Sequence, residues 1–497
     1  MTNTDTLRTQ YVDDLVKQRQ LMEAAMIFQN SPVEPGEGFS TMVPKVKALT
    51  GRMPKAPVIG FAKQTITSLP NFNINSVKKE NMRYIFANCF QQGSESAPLD
   101  LSLWNIKGAK DLSYMFSKEE LSKLYETYMY GANKGSYIKL GAMFDLSDVE
   151  TLEMAFAPFN YNSSTMSVLL YNLDDVPNVN ARKLKNIKNY NGCGAYNYKY
   201  TDDTKHPYKL LTKLYNVSIE HIDGLFRSAH TSTSNRVPCS FFRKIGALSL
   251  MEHIIKNWDT SKLKSMSDLY KGLSVVDDLY VDSDGVQKST IQACVNFVAR
   301  LNTSSVVDIT NLFSTTTHTS DVITSYDVVC DLSNCDFSSL ENVDYAFYSR
   351  YFSSIIVGPC LSGTLKRLYY TFGAYGSNNL HTINAVHWDL SNVNYMYEPF
   401  RNRTNLVDLY FGKNLGKGFN STTANYSYHT VYLSSASMLS VDSVLRLFNN
   451  IYDLNKTYDV ENGGTLATQK IDLHADVIAK LTPEEIAIAT NKGWSVV

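Results

Sequence analysis

Between Ile74 and Phe400 one short pattern returns about nine times, and no other feature restricts the fold as much. Two copies show it cleanly: Trp258-Asp-Thr-Ser-Lys-Leu263-Lys-Ser-Met266-Ser-Asp-Leu269-Tyr270 and Trp388-Asp-Leu-Ser-Asn-Val393-Asn-Tyr-Met396-Tyr-Glu-Pro-Phe400. With Trp as position zero, Asp or Asn follows at plus one and Ser at plus three. Apolar residues stand at plus five and plus eight, and an aromatic at plus twelve. The copies that start at Phe144, Leu301 and Cys335 fill every slot and end on Phe156, Phe313 and Phe347. The Trp104 copy lacks only the Ser, and those at Ile74, Val179 and Leu214 are eroded.

The apolar slots recur at intervals of three and four, which predicts one face of a short helix. Asp or Asn at plus one and Ser at plus three are the acceptors that the N–H groups of a helix start require. The alternating stretches Leu99–Leu103, Ile138–Leu140, Val328–Leu332 and Leu406–Leu409 lie near zero positions and predict short strands. One unit is therefore expected to be a strand, a turn and a short helix. A single unit cannot bury its apolar face, whereas stacked neighbours can. The expected fold class is an α/β repeat solenoid with a parallel sheet on one side and short helices on the other. Zero positions lie from 30 residues apart (Ile74 to Trp104) to 53 apart (Cys335 to Trp388), so long inserts are expected.

Composition narrows the function. Lys and Arg number 47 against 48 Asp and Glu, with no long basic block, which argues against nucleic acid as a partner. Seven Cys are scattered without CxxC spacing and suit buried free thiols; Cys330 and Cys335 are close enough in sequence to pair, but two buried thiols are the better reading. No stretch of about 18 apolar residues occurs, so no membrane insertion is expected. No charged segment leads into an apolar run at the N-terminus, and no anchor is recognisable at Gly493-Trp-Ser-Val-Val497.

Three regions follow. Residues 1–57 form an N-terminal helical anchor and linker, with an amphipathic helix over residues 5–30 and a second short helix after Ser40. Residues 58–435 hold the repeats. Residues 436–497 form an α/β cap, in which Ser440 starts one helix and Thr482 with Glu485 makes a capping box for another, ahead of a stop at Asn491-Lys-Gly493.

The Trp258–Tyr270 and Trp388–Phe400 runs resemble the BspA-like leucine-rich repeats of bacterial surface proteins and bacteriophage structural proteins, over roughly residues 70–415. The ending Leu481-Thr-Pro-Glu-Glu-Ile486 and onward is similar to the terminal unit of such arrays. The resemblance implies a leucine-rich-repeat-like fold, an adhesive or structural role, and no catalytic residues. Together with the absence of a recognisable leader, it makes a virion component of tail, baseplate or fibre the expected function. Such a protein assembles in the host cytoplasm. Its partners would be other virion proteins, copies of itself, and a host glycan or protein receptor. A BspA-like adhesin on the bacterial surface is the alternative, and a tail-associated carbohydrate-active enzyme a third reading.

The chemistry-bearing motifs are missing. There is no HExxH, no GxSxG and no Gly-rich phosphate loop. His381 and His387 flank a strand without metal spacing, and Asp282-Ser-Asp284-Gly285 reads as a turn rather than a calcium loop. No catalytic residue, cofactor or metal is therefore expected. Tyrosine is in excess, with 32 copies. It clusters at Tyr125, Tyr128 and Tyr130, at Tyr369, Tyr370 and Tyr375, and at Tyr426, Tyr428 and Tyr432. The first-choice binding residues are Tyr190, Tyr196, Tyr198, Tyr200 and Tyr208, in a segment that strict repeat packing does not constrain.

Overall fold

The structure, a computed structural model, describes residues 96–116, 136–156, 168–190, 203–227, 246–272, 287–314, 328–349, 351–374, 379–419, 428–456 and 469–497, with a few shorter pieces. The expected helices of residues 1–57 lie outside them, as do Tyr125, Tyr128, Tyr130, Tyr196, Tyr198, Tyr200, Tyr375 and the Asp282–Gly285 turn.

Successive copies are joined in parallel through their plus-seven residues. Bridges run from Asp111 to Thr151, Asn186, His221, Ser265, Asp308 and Asn342 in turn. Strands Arg367–Tyr369 and Tyr395–Tyr397 occupy the same slots in register, and Met396 bridges on to His429. The plus-eight N–H of one copy donates to the plus-seven carbonyl of the next, as in Met266 to Asp308 at 3.1 Å and Ile309 to Asn342 at 3.0 Å. The plus-twelve N–H likewise reaches the next copy's plus-eleven carbonyl, as in Phe313 to Ala346 at 2.9 Å.

The plus-five to plus-twelve segment is not the helix that its spacing suggests. Each unit turns through tight β-turns. The plus-five N–H returns to the plus-two carbonyl, and the plus-eleven N–H to plus-eight, as in Leu263 to Thr260 and Leu269 to Met266. The residue at plus ten is left-handed in nine copies: Tyr114, Met154, Asn189, Gly224, Asp268, Asn311, Tyr345, Tyr370 and Glu398. A positive φ at the third position of a turn cannot continue a right-handed helix. Glycine occupies that slot in the Leu214 copy, and Asn189 Oδ1 fills the space that a Cβ at Gly224 would take. The plus-one side chain also has another task than capping a helix. Asn105, Asp145, Asp259, Asn302, Asp336 and Asp389 each accept the plus-three N–H, closing an Asx-turn at the corner.

The same slots recur at Cys360, where Leu365, Leu368, Tyr370 and Phe372 fill plus five, eight, ten and twelve. This additional copy divides the 53-residue gap after Cys335 into steps of 25 and 28 residues. The expected long insert there is a repeat.

Ahead of position zero the units vary. Strands Ser136–Lys139 and Val168–Tyr171 pair in parallel, as do Val328–Leu332, Phe352–Val357, Thr382–Asn384 and Asp408–Tyr410. Helices Pro207–Leu211, Ala247–Asn257 and Thr290–Ala299 take the strand's place before Leu214, Trp258 and Leu301. Helices pack beside three outer strands: Pro207–Leu211 against Val168–Tyr171, Thr290–Ala299 against Val328–Leu332, and Val441–Asn450 against Asp408–Tyr410. Covering an edge in this way removes a template for unwanted strand pairing.

The core is a file of rings supplied mostly by the plus-twelve slots, with Tyr190 and Phe411 from other positions. Phe86, Phe116 and Phe156 lead to Tyr190 at centroid spacings of 5.1–5.4 Å. Phe226, Tyr270, Phe313, Phe347, Phe372, Phe400 and Phe411 continue at 5.2–6.4 Å. Met266, Leu269, Val393, Met396 and Phe400 are each fully buried. Outside the core, the plus-six slots carry Lys110, Glu150, Lys185, Glu220, Lys264, Val307, Glu341 and Lys366. Their charges alternate, and Glu220 contacts both Lys185 and Lys264, at 3.5 and 2.6 Å. Opposite charges across neighbouring segments favour this register over a slipped one.

The Val179 copy carries its aromatic one slot early, at Tyr190, and has Asn191 at plus twelve. Tyr208, on the helix Pro207–Leu211, supplies a ring 5.6 Å from Phe226, and Tyr190 Oη donates to Pro207 O at 3.1 Å. That helix is capped by His206, whose Nδ1 accepts the Tyr208 N–H at 3.2 Å. Burial lowers the imidazole pKa from 6.5 to about 3. Between those values the unfolded chain holds a proton that the folded chain lacks, so stability falls as pH drops through that window and is unaffected above it. His206→Asn, which keeps an acceptor but does not titrate, is expected to lose about 3 kcal/mol less stability than wild type between pH 7 and pH 4.5, read from urea melts. Parallel losses in the two proteins would rule out His206 as the acid-sensitive group.

At the C-terminal end, Val441–Asn450 starts at Ser440, whose hydroxyl accepts the Ser443 N–H. The helix Pro483–Thr490 carries the Thr482–Glu485 capping box. Strands Thr430–Leu433, Gln469–Leu473 and Trp494–Val496 form a three-stranded parallel sheet.

Candidate binding face

Alternation along the ladder decides which side chains face outward. The plus-eight residues are buried, while those at plus seven and plus nine project to the other side. In the upstream copies these outward slots hold polar side chains and no Tyr: Asp111 and Ser113, Thr151 and Glu153, Asn186 and Lys188, His221 and Asp223, Ser265 and Ser267, Asp308 and Thr310. In the last three copies aromatic and cationic side chains enter the slots at plus seven, nine and ten, beside Asn342, Asp344 and Glu398. They are Tyr345, then Arg367, Tyr369 and Tyr370, then Tyr395 and Tyr397.

These rings form one cluster with Tyr348 and Tyr428. Tyr345 stacks on Tyr370 at 5.1 Å, Tyr369 on Tyr397 at 5.6 Å, and Tyr395 on Tyr428 at 4.6 Å. Tyr345, Tyr369, Tyr395, Tyr397 and Tyr428 are all half-buried. The Arg367 guanidinium lies 4.9 Å from the Tyr395 ring centre and pairs with Asp344 at 2.9 Å. Arg401 lies over Tyr370, donates to its hydroxyl at 2.8 Å and pairs with Glu398 at 3.1 Å. Burial, helped by Glu398, raises the Tyr370 pKa to about 12; burial and neighbouring phenols raise those of Tyr345 and Tyr395 too. The face therefore presents neutral phenols and guanidinium groups already offset by carboxylates.

The first-choice residues fare differently. Tyr190 and Tyr208 are buried, and the Tyr208 hydroxyl donates to Leu225 O. Both rings serve the core rather than a binding surface, because the eroded Val179 copy leaves its aromatic slot to be filled. Tyr369, Tyr370 and Tyr428, noted in the sequence as clusters, do meet on the exposed face. Tyr345, Tyr395 and Tyr397 went unremarked because they occupy motif slots that the apolar pattern leaves unassigned. Aligning the plus-seven and plus-nine slots across copies would have exposed the change from other polar residues to Tyr.

One cluster combines the residue types of a nucleophilic triad. The buried Asp223 accepts from Ser265 and from Ser267 Oγ, the latter at 2.6 Å, and lies 3.6 Å from His221 Nδ1. Burial raises its pKa, but these hydrogen bonds more than offset that and hold the carboxyl below its usual range. Ser265 donates to the carboxylate and not to the imidazole, so the arrangement locks neighbouring copies instead of activating a hydroxyl. His381 and His387 are exposed beside the strand Thr382–Asn384. Cys330 and Cys335 are buried free thiols. Among the described residues no group of three or more His, Cys, Asp or Glu could hold a metal, and no helix is long and apolar enough to cross a membrane.

Two segments, residues 59–150 and 240–353, match the family described as Mycoplasma protein of unknown function, DUF285. The repeats are BspA-like. The matched segments hold most of the well-formed BspA-like copies, and the stretch between them holds the eroded ones at Val179 and Leu214. No curated protein and no solved structure matches the chain.

Proposed function

We propose that the chain is a repeat solenoid acting as scaffold and binding surface in a bacteriophage particle, within the tail, baseplate or fibre. Its binding face is the tyrosine–arginine surface of the last three copies. The observation that carries the binding role is the comparison of the repeats with one another. Upstream copies fill the plus-seven and plus-nine slots with Asp, Thr, Asn, His, Ser, Glu and Lys and still form the ladder, so packing does not demand Tyr there. Tyr and Arg are the residues that most often dominate binding energy when they cluster. The particle setting rests on the likeness of Trp258–Tyr270 and Trp388–Phe400 to repeats of phage structural proteins. A second setting, a bacterial surface adhesin, rests on the likeness of the same two runs to repeats of bacterial surface proteins.

Immunodetection separates the settings: the protein is expected in purified particles, and recovery in cell envelopes alone would select the adhesin. The binding face is tested by the triple variant Tyr369→Thr, Tyr395→Thr, Tyr397→Thr. Attachment to the fraction that holds the protein should fall at least about tenfold, the scale of one lost hot-spot residue, with little change in melting temperature. A large fall in melting temperature with unchanged attachment would show that the rings only pack on one another.

A further inference from the structure

Resting on that reading of the face, we propose that its ligand is a neutral linear polysaccharide lying along the direction in which the copies repeat. The first argument is periodicity. Rings recur from copy to copy, Tyr345 to Tyr369 at 5.1 Å and Tyr369 to Tyr397 at 5.6 Å, and Tyr397 to Tyr428 extends the file at 5.9 Å. A ligand that also repeats, at close to the length of one sugar ring, can make the same contact at each step, and linked contacts multiply affinity. A folded protein surface has no such period.

Charge is the second argument. Arg367 and Arg401 are the cations of the face, and each is already paired, with Asp344 and Glu398. An acidic polymer would have to displace those carboxylates, whereas a neutral one leaves them in place. Hydrogen bonding is the third. Phenols that stay protonated both donate and accept, as sugar hydroxyls do, so either partner can serve either role. The rings also hold one another in place, so little side-chain freedom remains to be lost on binding.

The test uses the full chain and an array of neutral linear oligosaccharides of glucose, galactose and N-acetylglucosamine in increasing lengths, with a uronic acid series beside them. Hits are followed by titration calorimetry. The expected result is affinity that rises with chain length, is unchanged between low and high salt, and falls at least about tenfold in the Tyr369→Thr, Tyr395→Thr, Tyr397→Thr variant. Threonine and serine stand in the equivalent slots at Thr310, Ser265 and Ser267, so the variant is expected to fold, which circular dichroism checks. The proposal is overturned if no neutral oligosaccharide binds, if the variant binds as tightly as wild type, or if only acidic chains bind with steep salt dependence. Loss of attachment in the variant without any glycan binding would mark the ligand as a protein and leave the binding face standing.

Discussion

Phe400→Ala should lower the unfolding free energy by about 3–5 kcal/mol, the range for truncating a fully buried phenylalanine. Phe400 has no exposed surface and sits between Phe372, at 6.0 Å, and Phe411, at 5.2 Å. Its loss opens a gap in the file of rings where the last BspA-like copies meet the C-terminal unit. Relaxation is restricted because the plus-twelve backbone is hydrogen-bonded across copies, Phe372 N to Pro399 O at 2.8 Å. Urea unfolding followed by tryptophan fluorescence reads the effect, since Trp388 lies 5.6 Å from Phe372. A loss below about 1 kcal/mol would mean that this ring is not part of a close-packed core.

Arg403→Ala should cost about as much through a different mechanism. The Arg403 side chain is fully buried, donates from Nε to Phe372 O, and from Nη2 to Gly373 O at 2.8 Å and Phe347 O at 3.2 Å. Burial pulls its pKa down to about 9. The side chain thus ties the Trp388 copy to carbonyls at the ends of the two copies before it. Removing it strands those acceptors, at about 1–3 kcal/mol for each that water fails to reach. Arg403→Met separates hydrogen bonding from volume: it fills most of the space and should still lose about 2 kcal/mol or more. Full stability in the methionine variant, measured by the same urea melts, would contradict the role assigned to the guanidinium.

Much of the repeat was legible in the sequence because its apolar slots answer to burial alone. Leu263, Met266 and Tyr270 stand where the pattern puts them. The local conformation was not legible, because intervals of three and four fit both a helix face and a chain of tight turns. What separates the two is the plus-ten residue, and Tyr345, Tyr370 and Glu398 give no left-handed signal of the kind that glycine or asparagine gives. The Cys360 copy escaped because Cys and Gly replace Trp and Ser around its corner, although Leu365, Leu368 and Phe372 keep the core spacing. The binding face was half legible. An excess of tyrosine pointed to recognition, but sequence clustering favoured the segment around Tyr190 and Tyr208, whose rings complete the core. Residues that meet across copies, such as Tyr369 and Tyr397, are 28 positions apart and become neighbours only through the ladder.

The most direct measurement is hydroxyl-radical footprinting of the free chain against the chain bound in the particle or envelope fraction that holds it. In the free chain Tyr369, Tyr395, Tyr397 and Tyr428 should react, and in the bound chain they should be protected. Glu153 and Lys188, on the same side of the ladder in upstream copies, should stay equally reactive in both. Equal tyrosine reactivity in the two states, or protection confined to the upstream copies, would contradict the claim that this repeat scaffold binds through its C-terminal tyrosine face.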